Sequence, residues 1–126
     1  MKDLERMALL LDFYGPLLTP RQQALMRAYY QEDLSLGEIA EAEQVSRQAV
    51  HDQIKRAEAA LQEMENRLGL VAEHLRQQAI LREACSHLEA ARALVGEDAP
   101  AAAAIAAAEG LIRQLLLPAD PPPDRG

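Results

Sequence analysis

Two serines, Ser35 and Ser46, constrain this chain more than any other feature. Each stands just before a short run with one apolar face. A serine oxygen accepts from the free N–H groups of a first helical turn, so each is a good N-cap. Leu36, Ile39 and Ala40 make the apolar stripe of one short helix. Glu41 to Val45 fits a tight turn. Val50, Ile54 and Ala57 continue on one face of a second helix after Ser46. Two amphipathic segments joined in this way read as a helix-turn-helix. In that motif the start of the second helix meets base edges in a major groove. Here that start carries Ser46, Arg47, Gln48, His51, Asp52, Lys55 and Arg56. Arg pairs with guanine and Gln with adenine in bidentate fashion, so these types suit base readout. These seven residues are the candidate nucleic-acid-binding set.

The remaining pattern is helical as well. Leu4, Met7, Ala8 and Leu11 repeat at helical spacing and predict a first helix over residues 3–14, with Asp3 as cap and Gly15-Pro16 as its stop. Thr19-Pro20-Arg21-Gln22 is a capping box with Pro at the first helical position. It opens a second helix running to about Tyr30, with Leu25, Met26 and Tyr29 inward. Gln31 to Asp33 is a loop. The turn of the helix-turn-helix has Gln44 at its glycine position. A left-handed backbone there costs a residue with a Cβ on the order of 1 kcal/mol.

From Val50 the apolar residues alternate in steps of four and three: Val50, Ile54, Ala57, Leu61, Met64, Leu68, Val71, Leu75. This heptad predicts a long helix with a coiled-coil-like seam. Gly69 interrupts the helix propensity and leaves the phase intact, so a bend, if one exists, falls there. Leu61, Met64, Leu68, Val71 and Leu75 are the expected homodimer interface, with an intramolecular spine as the other use of the seam. The pattern continues through Ile80, Leu81, Ala84, Leu88 and Ala91 to Leu94, and Gly96-Glu97-Asp98 breaks it. Pro100 opens a last, alanine-rich helix over residues 100–117, with Ile105, Ala108 and Ile112 on its face. The expected organisation is a helix-turn-helix domain at residues 1–68, a helical dimerisation or packing region at 69–117 and a disordered proline-rich tail at 118–126.

Composition narrows the function. The residues are 49% hydrophobic and only 3% aromatic, so the core must come from Leu, Ala, Ile, Met and Val, and an all-α fold follows. One cysteine, Cys85, excludes an internal disulfide and suits a reducing cytoplasm. No signal peptide is visible and no apolar run is long enough to span a membrane, so the expected location is cytoplasmic. The net charge is −7. Residues 1–68 hold eight basic and twelve acidic side chains, so the candidate reading domain is itself acidic. Phosphate contacts must then come from a local cluster of Arg47, Lys55 and Arg56, with Arg21 and Arg27 nearby. His51, His74 and His87 have no metal-ligand spacing, Cys85 reads as a small buried apolar residue, and no Gly-rich phosphate loop or nucleophile-base set is present. Neither an enzyme nor a cofactor or small-molecule substrate is expected.

The stretch from Leu36 to Arg56 resembles the region 4 helix-turn-helix of bacterial sigma factors, chiefly through E-I-A-E and V-S-R-Q-A-V. Closer similarity is to the YlxM-like family of small bacterial proteins. It rests on D-F-Y-G-P-L-L-T (Asp12 to Thr19), the Tyr29-Tyr30 pair, S-L-G-E-I-A and V-S-R-Q-A-V-H-D-Q-I-K-R, and covers residues 4–60. The resemblance implies a DNA-binding regulator linked to the signal recognition particle pathway. The alternative is an adaptor that meets the RNA or protein of that particle without sequence-specific DNA binding.

Overall fold

The computed structural model describes residues 4–116, so the cap at Asp3 and the tail at 118–126 lie outside the described residues. Six α-helices follow one another: α1 (Leu4–Tyr14), α2 (Pro20–Met26), α3 (Leu36–Glu43), α4 (Arg47–Leu68), α5 (Leu70–Leu94) and α6 (Pro100–Leu115). No strand occurs among the described residues, and the all-α expectation holds. The chain divides into two compact units, one through Val71 and one from Ala72.

In the first unit α1, α2 and α3 all pack on α4. Val50, Ile54, Ala57 and Leu61 fall on one side of α4 at helical spacing, and all four are buried. Leu10, Leu11 and Tyr14 of α1, Leu25 and Met26 of α2, and Ile39 and Ala40 of α3 complete the core around them. The helix starts are where the sequence places them. Thr19 and Ser35 each accept from the third helical N–H, and Gln22 and Glu38 reach back to the cap N–H, giving two complete capping boxes. Bonding from the Ser35 N–H and hydroxyl holds the Glu38 carboxyl below the usual glutamate range.

Two local features depart from the expected pattern. The second helix is α-helical only to Met26 and then widens into a π turn over Arg27–Gln31, closed by Glu32 N–H to the Arg27 carbonyl at 2.9 Å. Asp33 then takes a left-handed backbone with φ 57°, which lets the Leu34 N–H reach the Ala28 carbonyl at 2.9 Å.

The heptad helix begins at Arg47 as expected and ends at Leu68. Gly69 does more than bend it. Its backbone is left-handed, with φ 65°, and its N–H bonds the Glu65 carbonyl at 2.8 Å, which is a helix C-cap. A new helix starts at Leu70. Its first amides are capped from a distance: the Leu70 N–H donates to the Tyr14 hydroxyl and the Val71 N–H to the Glu65 carboxylate, both at 3.0 Å. The seam is therefore not one continuous stripe. Leu61 and Val71 are wholly buried in the first unit, Met64 is half-buried, and Leu68 and Leu75 are exposed.

The second unit pairs the remainder of α5 with α6. The Gln78 amide donates to the Leu115 carbonyl at 2.8 Å, and Arg92 meets Glu109 at 3.1 Å. Pro100 opens α6 as expected. Cys85 is buried, and so is Glu109, whose carboxylate lies between Arg92 and Arg113. Ile105, Ala108 and Ile112 are only half-buried, because the alanine-rich pairing has little apolar bulk to cover them.

Candidate nucleic-acid interface

The turn between α3 and α4 is tight and complete. Gln44 has φ 57° and ψ 43°, the left-handed conformation expected at the glycine position of the motif. Its N–H bonds the Glu41 carbonyl at 3.3 Å, and the Val45 N–H bonds that of Ala40 at 3.0 Å. Ser46 then caps α4, its hydroxyl accepting from the Ala49 N–H at 3.0 Å. That oxygen is committed to the helix start, so Ser46 positions the candidate readers.

The candidate residues fall into distinct settings. Arg47 and Gln48 are exposed in the first turn of α4. The Arg47 guanidinium lies over Gly37 of α3; a Cβ at Gly37 would sit 3.6 Å from its Nε. The Gln48 amide donates to Asp52 one turn on, at 2.8 Å. His51 is half-buried, with Asp52 3.5 Å from its Nδ1. Its ring helps to line a small recess with Tyr29, Tyr30 and Leu36. Lys55 and Arg56 are exposed. The face therefore presents Arg47, Gln48, Asp52, Lys55 and Arg56, with His51 turned partly inward.

Acidic partners engage several of these groups. Lys55 pairs with Glu58 at 3.3 Å, and Glu58 also accepts from the Tyr30 hydroxyl. Burial, then the bonded Glu58 carboxylate, push the Tyr30 phenol well above the usual tyrosine range. Arg21 of α2 pairs with Glu43, the last residue of α3, at 2.8 Å and donates to Gln53 of α4 at 3.1 Å. Arg21 thus links α2 to both helices of the motif. The spacing of Lys55 and Glu58 is visible in the sequence. The Tyr30 and Arg21 contacts need the tertiary fold, and residue types alone carry no sign of them.

Elsewhere Arg67 pairs at 2.8 Å with Glu63, one turn earlier on the exposed side of α4. Among the described residues no group of three or more His, Cys, Asp or Glu could hold a metal ion, and no described helix is long and apolar enough to cross a membrane.

Comparison with known proteins agrees with this geometry. The family model of the YlxM / p13-like helix-turn-helix proteins, UPF0122, matches residues 1–95. A UPF0122 protein of Symbiobacterium thermophilum is 69% identical over 83 residues, covering 66% of this chain and 78% of its own length. One from Desulforamulus reducens is 42% identical over 116 residues, covering 92% of this chain and 95% of its own. One from Exiguobacterium sibiricum is 54% identical over 76 residues, covering 60% of this chain and 72% of its own. With the motif, its turn and its caps in place, the chain belongs to the YlxM / p13-like helix-turn-helix family.

Proposed function

We propose that this chain is a cytoplasmic, non-enzymatic regulator that binds DNA through the start of α4. One observation carries the reading. Ser46 caps α4 so that Arg47 and Gln48 stand exposed in its first turn, with Lys55 and Arg56 following on the exposed side. Arg47 and Gln48 supply the base-reading chemistry, and Lys55 and Arg56 the phosphate contacts.

The acidic groups on the same surface favour a second reading. Glu43, Asp52 and Glu58 occupy Arg21, Gln48 and Lys55, which lowers the electrostatic gain available from phosphate. On this reading the protein is an adaptor that meets RNA or protein of the signal recognition particle and has no preferred DNA site. A homodimer remains part of the proposal. Leu61 and Val71 are committed to the core of one chain, so its test falls on exposed Leu68 and Leu75.

Random-sequence enrichment separates the two readings. A DNA reader returns a consensus, and Arg47→Ala or Gln48→Ala then costs roughly 1–3 kcal/mol and relaxes the preferred sequence. Lys55→Ala weakens all sequences about equally. Enrichment without a consensus rejects the DNA reading.

A further inference from the structure

We propose that the recess between α2 and α4 is a site for a backbone phosphodiester, and that Glu43 withholds one of its two cations. The inference rests on the nucleic-acid reading above and adds a specific contact to it. Thr19, Arg21, Gln22, Leu25, Gln53 and Arg56 line a recess of about 240 Å³. Two guanidinium groups on one small concavity attract an anion, and the planar donor fork of arginine suits a phosphate as well as a carboxylate. Leu25 is the apolar part of the lining. The Thr19 hydroxyl and the Gln22 side chain are used in the capping box, which leaves Arg21, Arg56 and the Gln53 amide as ligand groups.

The two arginines differ in availability. Arg56 is exposed and has no carboxylate partner among the described residues. Arg21 is held through Nη1 by the Glu43 carboxylate at 2.8 Å, while its Nη2 donates to Gln53. Glu43 is not part of the recess lining, so it competes by engaging Nη1 of Arg21 and offsetting its charge rather than by filling the recess. The pair is open to solvent, with side-chain exposures of 54% and 34%, so it is weak enough to exchange. A polyanion whose binding releases counterions can displace it, at the cost of leaving Glu43 near its own charge. Glu43 thus acts as an internal competitor, and the face takes up nucleic acid only against that competition.

A double-mutant cycle tests this with duplex DNA and with RNA at low salt. Glu43→Gln is expected to tighten binding roughly threefold to fivefold, the range set by a surface ion pair. It should also steepen the salt slope by about 0.9, the increment for one added phosphate contact. In an Arg21→Ala background the same change should do almost nothing, and Arg56→Ala should weaken both wild type and Glu43→Gln. An equal gain with and without Arg21 overturns the withheld-cation site, because the effect is then one of net charge. Absence of binding by the wild type to either nucleic acid overturns the functional reading instead. The site is then judged by a titration of inorganic phosphate into Glu43→Gln, followed on the side-chain Nε resonances of Arg21 and Arg56. Movement of both supports the site, and movement of neither overturns it.

Discussion

The Tyr14 phenol donates to the Glu65 carboxylate at 2.6 Å, joining the last residue of α1 to the last turn of α4 across 51 positions of sequence. The same two side chains receive the first amides of α5, from Leu70 and Val71. A helix start that has no local capping residue is thereby satisfied from the core. Burial, then the bonded Glu65 carboxylate, raise the Tyr14 phenol above the ordinary tyrosine value.

Tyr14→Phe keeps the ring and removes the hydroxyl. It leaves the Leu70 amide without its acceptor and takes one of the donors from the buried Glu65 carboxylate. The expected result is a fall in Tm of roughly 5–10 °C with an unchanged fold by circular dichroism. A Tm within a degree of wild type would remove the capping role.

The phenols also set an alkaline limit. Tyr14 and Tyr30 both titrate higher in the fold than in the unfolded chain. Their contribution is therefore complete below about pH 10, the unfolded value, and is lost as pH rises through the folded-state values. Denaturant midpoints measured across this range should decline for wild type and decline less for the Tyr14→Phe, Tyr30→Phe pair.

Gln44 is left-handed and exposed. Gln44→Gly removes the Cβ strain without removing a buried side chain, and should stabilise the first unit by about 0.5–1 kcal/mol. Urea unfolding monitored in the full chain reads this directly, and a loss of stability would mean that the Gln44 side chain contributes more than its backbone costs.

Leu61 and Leu68 occupy related heptad positions and should behave differently. Leu61→Ala opens a cavity in the core and should cost about 2–5 kcal/mol, whereas exposed Leu68→Ala should change stability by less than about 1 kcal/mol. Leu68→Asp is then a fold-neutral probe of self-association by light scattering. Halving of a dimeric mass would place Leu68 at the interface.

Much of the motif was legible because short-range chemistry specifies it. Thr19, Ser35 and Ser46 mark three helix starts through their own hydroxyls, and Gln44 sits at a position that the turn geometry demands. The break at Gly69 was less legible. Leu68 to Val71 keeps the four-three phase whether or not the helix is continuous, and the groups that make a restart favourable, Tyr14 and Glu65, act through the folded core. The π turn at Arg27–Gln31 and the left-handed Asp33 likewise have no single residue that announces them. At the candidate interface the residue types were readable, but the contacts of Arg21 with Glu43 and of Glu58 with Tyr30 depend on helices brought together from separate parts of the chain.

The restart at Leu70 also bears on how this chain emerges during synthesis. Until Val71 has left the ribosome, the Tyr14 hydroxyl and the Glu65 carboxylate lack the amides that complete their bonding. A nascent chain, or a recombinant fragment, that stops at Leu68 has both helices of the helix-turn-helix and still lacks the closing bonds of its core. One that continues past Val71 has them. The helix-turn-helix unit thus completes its folding on the first turn of the helix that follows it.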